Sequence, residues 1–107
     1  MSQLVKVVFT VPVADADKLR KAVGNADGGQ IGNYTHCSFS IRGVGRFLPK
    51  DGAHPSIGEV GKPEKVIEER VEVTCEQEKL KNIVQVIRDN HPYEEPAIDI
   101  YPMLLED

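Results

Sequence analysis

Residues 65–90 read KVIEERVEVTCEQEKLKNIVQVIRDN, and part-way along them the spacing of the apolar side chains changes. Over 65–76, Ile67, Val71, Val73 and Cys75 share one parity, with Glu69 as the exception, while Val66, Glu68, Arg70, Glu72 and Thr74 take the other. Alternation of that kind describes a strand with one face covered. Over 77–90, Leu80, Ile83, Val84 and Ile87 recur at helical spacing opposite Lys79, Lys81, Gln85 and Arg88. That spacing predicts an amphipathic helix following the strand almost directly.

The flanks supply the rest of the fold. After the helix, His91-Pro92 and Pro96 break the pattern, and Ala97–Tyr101 gives a short last strand before Pro102. Before the strand, residues 43–64 carry Gly43, Gly45, Gly52, Gly58 and Gly61 with Pro49, Pro55 and Pro63, which predicts a long loop. Upstream of it, Tyr34–Arg42 alternates again, with Thr35, Cys37, Phe39 and Ile41 on one face. Leu4–Val11 is a β-branched strand ended by Pro12, and Leu19, Ala22 and Val23 follow at helical spacing behind a cap at Asp15 or Asp17. Gly24-Asn25 and Asp27-Gly28-Gly29 end that first helix.

The order is βαββαβ. Right-handed crossovers then give an α+β, ferredoxin-like sandwich, a four-stranded antiparallel sheet with both helices on one face. Strand parity places Val5, Val7, Phe9, Cys37, Phe39, Ile41, Val71 and Val73 under the helices. Leu4, Lys6, Val8, Thr10, His36, Ser38, Arg42, Glu68, Arg70, Glu72 and Asp99 are expected on the open face, which suits solvent or a wet oligomer interface.

Composition sets the outer bounds. With 107 residues, 40% hydrophobic and 28% charged, the chain reads as one domain over 1–107. Thirteen basic against seventeen acidic residues give a charge of −4, the wrong sign for a nucleic-acid binder. No apolar run approaches a membrane span or a signal-peptide core, so the expected location is the cytoplasm, with no membrane partner. Cys37 and Cys75 match no metal or redox spacing and read as two buried thiols.

Few residues suggest chemistry. Gly43 and Gly45 with Arg46 could bring backbone N–H groups and a guanidinium to an anion, although plain turn geometry is the favoured reading of the glycines. His91, Tyr93, Glu94 and Glu95 combine a histidine with carboxylates, but no nucleophile stands beside them. Glu68, Glu69, Arg70 and Glu72 read as charge pairs along a strand face. His36, His54 and His91 with the two cysteines form the soft-ligand pool, and adjacent strand positions send His36 and Cys37 to opposite faces. His36 and His91 are the candidates for a metal gathered around a symmetry axis, a divalent metal being the one cofactor this set suggests.

Three stretches carry a resemblance: Gly32–Phe39 (GNYTHCSF), Gly43–Pro49 (GVGRFLP) with His54–Gly58 (HPSIG), and His91–Ala97 (HPYEEPA). Together they resemble the YqfO family domain, which is similar in fold to the trimeric CutA and PII proteins. In many relatives that domain is an insert between two halves of a dinuclear-metal protein known as a GTP cyclohydrolase type 2 homologue or NGG-interacting factor. The ligand positions of those halves have no counterpart in these 107 residues, so the resemblance implies neither that metal centre nor a hydrolase activity. It implies a homotrimer. PII proteins also carry a long loop between their second and third strands, yet their signalling residues do not align with 43–64. ATP or 2-oxoglutarate therefore enters as analogy alone. The expectation is a noncatalytic regulatory module binding a small molecule or a protein, with Gly43, Gly45, Arg46, His54, His91, Tyr93, Glu94 and Glu95 as its site and no catalytic residue. The alternative is a small enzyme or metal-binding protein with a site shared between subunits, built on His91 and a carboxylate. Tyr93 and Tyr101 are expected to lie in the subunit contact.

Overall fold

The computed structural model describes residues 3–104. Its elements are β1 (Leu4–Pro12), α1 (Val13–Asn25), β2 (Phe39–Phe47), β3 (Glu64–Glu76), a single 3₁₀ turn (Gln77–Lys79), α2 (Leu80–Asn90) and β4 (Ile98–Pro102). The strands form one antiparallel sheet in the order β2-β3-β1-β4, the ferredoxin-like arrangement. Val7 pairs with Val73, Phe9 with Val71 and Val5 with Cys75, so one face of β1 and β3 is continuously apolar. Leu19 and Val23 of α1 and Ile83 and Ile87 of α2 close over it, each essentially without solvent exposure.

α1 begins at Val13, directly after Pro12, without a side-chain cap. Asp15 instead sits in the first turn, where it complements the helix dipole, and Asp17 pairs with Arg20. The helix ends in a Schellman arrangement: the Gly28 N–H donates to the Val23 carbonyl at 2.9 Å and the Asp27 N–H to Gly24 at 3.1 Å. Asp27 takes the left-handed position, with φ 72°. Gly28 is fixed by space, since a Cβ there would lie 2.6 Å from Val23 Cγ1.

β2 departs from expectation in its start, its end and its parity. The Gly29 N–H donates to the Thr74 carbonyl at 2.8 Å, and the Cys37 N–H donates to Gly29 at 2.9 Å. Gly29 thus occupies the place on β3 that a straight strand from Tyr34 would fill. The chain turns through His36, at φ 59°, and β2 begins at Phe39, opposite Glu72. That register sends Phe39 and Ile41 to the open face, 62% and 53% exposed, while Cys37 lies half-buried outside any strand. Ser40 and Arg42 take the helix side, the reverse of the expected parity. Polar residues are tolerated there because Arg20 of α1 reaches the edge strand, donating to Ser40 Oγ at 3.2 Å and pairing with Glu69. Arg42 lies on the same carboxylate. At its far end β2 continues through Phe47, so Gly43–Phe47 is strand and the β2–β3 connection runs over 48–63.

Beyond the helices β2 and β3 continue as a two-stranded arm, and the molecule measures 49 × 23 × 22 Å. The connection doubles back on itself, the Gly61 N–H donating to the Pro49 carbonyl at 2.8 Å.

Candidate functional site

The arm, its connecting loop and the turn after α2 border a half-open cavity of about 690 Å³. Its size lies within the range of small-molecule pockets. Phe47, Leu48, Pro55 and Ile57 give it apolar walls. Gly43, Gly45, Arg46, Tyr93, Glu94 and Glu95 also line it, so the topology brings together residues that stand some 50 positions apart in sequence.

A relay of hydrogen bonds holds the floor. His91 ends α2 in extended geometry before Pro92, which turns its ring under the sheet, where it is buried. Its Nε2 lies 2.7 Å from the Thr10 carbonyl of β1, and its Nδ1 accepts the Tyr93 N–H at 3.1 Å. Those partners fix the neutral Nε2–H tautomer. The Tyr93 ring packs 5.0 Å from that of His91 and 5.9 Å from Phe47, and its O–H donates to Glu68 Oε2 at 2.7 Å. Burial pushes the Tyr93 phenol far above its ordinary range, and the hydrogen bond and charge of Glu68 push it further. Glu68 is 6% exposed, and Gly45 makes room for it: a Cβ on Gly45 would lie 2.5 Å from the Glu68 Cδ.

Gly43 and Gly45 therefore serve a strand that passes close to a carboxylate. Their main chain is paired with β3, which leaves no glycine turn to wrap an anion. Arg46 stands exposed at the rim. His54 is exposed, and its backbone N–H donates to Glu94 Oε1 at 2.7 Å, tying the loop to the turn. His91 lies behind Tyr93 with both ring nitrogens engaged, so it presents no lone pair to a metal. His36 is elsewhere, resting on Gly24 and contacting Asn25 Oδ1 at 2.9 Å and Thr35 Oγ1 at 3.0 Å. The two metal candidates thus do not meet within the chain, and among the described residues no three His, Cys, Asp or Glu side chains converge on a common point. Within its own chain Tyr93 contacts His91, Phe47 and Glu68.

Glu68 is the residue that sequence reasoning missed. Parity placed it correctly on the open face, but the features that bury it there, Gly45 across the sheet and Tyr93 from the turn, are distant in sequence.

No family model matches the chain. It is 45% identical over 103 residues to the GTP cyclohydrolase 1 type 2 homolog of Mycobacterium tuberculosis, a match covering 96% of this chain and 27% of the relative. This chain matches one segment of a GTP cyclohydrolase 1 type 2 homolog. The solved Bacillus cereus protein related to NIF3 contains the same segment, superposing with a TM-score of 0.83 at 40% identity over 95% of this chain and 26% of that one. The periplasmic divalent cation tolerance protein CutA of Archaeoglobus fulgidus shares the fold at a TM-score of 0.72 and 17% identity, and there the match spans 96% of this chain and 86% of the other. The chain spans little more than a quarter of the length of the GTP cyclohydrolase 1 type 2 homologs it matches. It therefore corresponds to a CutA-like segment of those longer proteins.

Proposed function

We propose that this domain is a noncatalytic binding module that holds a small molecule in the cavity between the β2–β3 arm and the His91–Ala97 turn, and that it works as a homotrimer. The cavity carries this reading: apolar walls, a floor made rigid by the Thr10–His91–Tyr93–Glu68 relay, and charged groups confined to a few positions. The enzymatic alternative draws no support from its central residue, because His91 spends both ring nitrogens on structure. Assembly is supported by the open face and the two edge strands, where Phe39, Ile41, Ile100 and Tyr101 are all more than 40% exposed. The three-fold order comes from the resemblance to CutA and PII proteins. Two free thiols suit a reducing compartment, in line with a cytoplasmic location.

Equilibrium dialysis against a metabolite extract, with mass spectrometry of what is retained, tests the binding role. A blocking variant is at hand in Gly43→Phe, since Gly43 lines the cavity and a Cβ there meets nothing within 4 Å. Wild type should retain a compound that Gly43→Phe does not; equal retention by both would reject the cavity. Light scattering over a range of concentrations should give three times the monomer mass, and a monomer throughout would remove the assembly.

A further inference from the structure

The two oxygens of Glu68 have different surroundings. Oε2 accepts the Tyr93 hydroxyl, whereas among the described residues Oε1 has neither a hydrogen-bond donor nor a cation. The nearest guanidinium on the strand, Arg70, is turned to Glu72 at 3.3 Å. Glu68 is 6% exposed, and among the described residues no side-chain oxygen sealed from solvent lacks a partner, so Oε1 is the part of this carboxylate that a donor can still reach. Charged side chains of both signs line the cavity around it, Glu94 and Glu95 together with Arg42, Arg46, Lys50 and Arg70. All six are exposed, where solvent screens them, so Glu68 is the buried charge of the lining. Gly45, having no side chain, lets the carboxylate lie against β2 with Oε1 nearest to it.

We propose that Glu68 Oε1 is the recognition point for a cationic or N–H-donating group of a small ligand whose apolar body lies against Phe47, Leu48 and Ile57. The inference rests on the cavity's being a ligand site and adds the chemical class of the ligand. A compact amidinium or ammonium on an aromatic or aliphatic frame satisfies both requirements, pairing the buried carboxylate through charge-assisted hydrogen bonds while its body covers the apolar wall. Tyr93 is a positioning residue: by holding Oε2 it leaves Oε1 as the unpartnered oxygen.

Titrations of the full chain followed by amide NMR, using benzamidine, benzyl alcohol and benzoate as probes, separate the outcomes. Benzamidine should bind most tightly of the three and move the amides of Gly45, Glu68 and Tyr93. Glu68→Gln keeps the shape and removes the charge, so benzamidine should weaken about tenfold while benzyl alcohol is unaffected. Tyr93→Phe keeps the charge but frees the carboxylate to rotate, so benzamidine should weaken about threefold, less than in Glu68→Gln, with benzyl alcohol unaffected, which also tests the proposal if the Gln variant does not fold. Equal benzamidine affinity in wild type and Glu68→Gln, preference for benzoate at the same amides, or a greater loss of benzamidine affinity in Tyr93→Phe than in Glu68→Gln would each overturn it. If benzyl alcohol binds the cavity but benzamidine gains nothing over it, the donor recognition fails and the cavity stands. If no probe moves any cavity amide, the cavity fails as a binding site.

Discussion

β3 is one strand in two settings. Along its second half Val71, Val73 and Cys75 alternate with Glu72 and Thr74 and are at most 3% exposed, because α1 and α2 lie across them. Along its first half the same alternation leaves Ile67 57% exposed and buries Glu68. The helices stop short of the arm, so apolar parity no longer means burial there, and the open face is covered by the Tyr93 turn. Alternation thus states which side chains share a face. What covers that face is decided by elements far away in sequence.

The contrast can be broken first at its covered end. Leu19→Ala should cost about 3 kcal/mol in urea unfolding, the ordinary cost of emptying a core site; a loss below about 1 kcal/mol would mean that the helices do not grip the sheet as described. At the arm, Gly45→Ala should displace the Glu68 carboxylate and sever its bond to Tyr93, costing about 1–3 kcal/mol. An unchanged stability together with an unchanged Tyr93 amide signal would show that Glu68 is not held against the strand.

Tyr93→Phe comes next, at about 1–2 kcal/mol near neutral pH, discounted for partial solvent access. Its pH dependence sharpens the test. The folded phenol is held far above its ordinary value, so its contribution is fully present below the ordinary phenol pKa of about 10 and is lost as the pH rises through the folded value. Wild type should therefore lose its advantage over Tyr93→Phe progressively above about pH 10, and a constant gap between the two from neutral to alkaline pH would refute the coupling. The smallest effect on folding is expected from Ile41→Ser on the open face, within about 0.5 kcal/mol. Sedimentation should nonetheless show weaker association; if assembly is untouched, the contact lies elsewhere.

Most of the fold could be read from sequence because its elements announce themselves locally: two amphipathic helices, a valine-rich first strand and proline-bounded ends. β2 could not, because Gly29 takes a carbonyl on β3 and moves the strand's start from Tyr34 to Phe39, an effect of tertiary pairing alone. The site divides the same way. Of the eight residues expected at a site, Gly43, Gly45, Arg46, Tyr93, Glu94 and Glu95 line one cavity and His54 and His91 do not, and their roles could not be read from sequence, since Gly45 answers to a carboxylate and His91 to a carbonyl of β1. The tyrosine–glutamate pair was invisible for the same reason.

The two sides of the cavity are secured unequally, and this bears on kinetics. The floor is locked to the central strand through a buried imidazole, whereas the loop that borders the cavity is tied to the turn by one exposed bond, from the His54 N–H to Glu94. Such a bond in contact with water costs at most a few kcal/mol to break. Arrival and departure of a ligand would then be governed by different groups: the loop sets the width of the open mouth that a ligand meets, and contacts at the floor set the residence time.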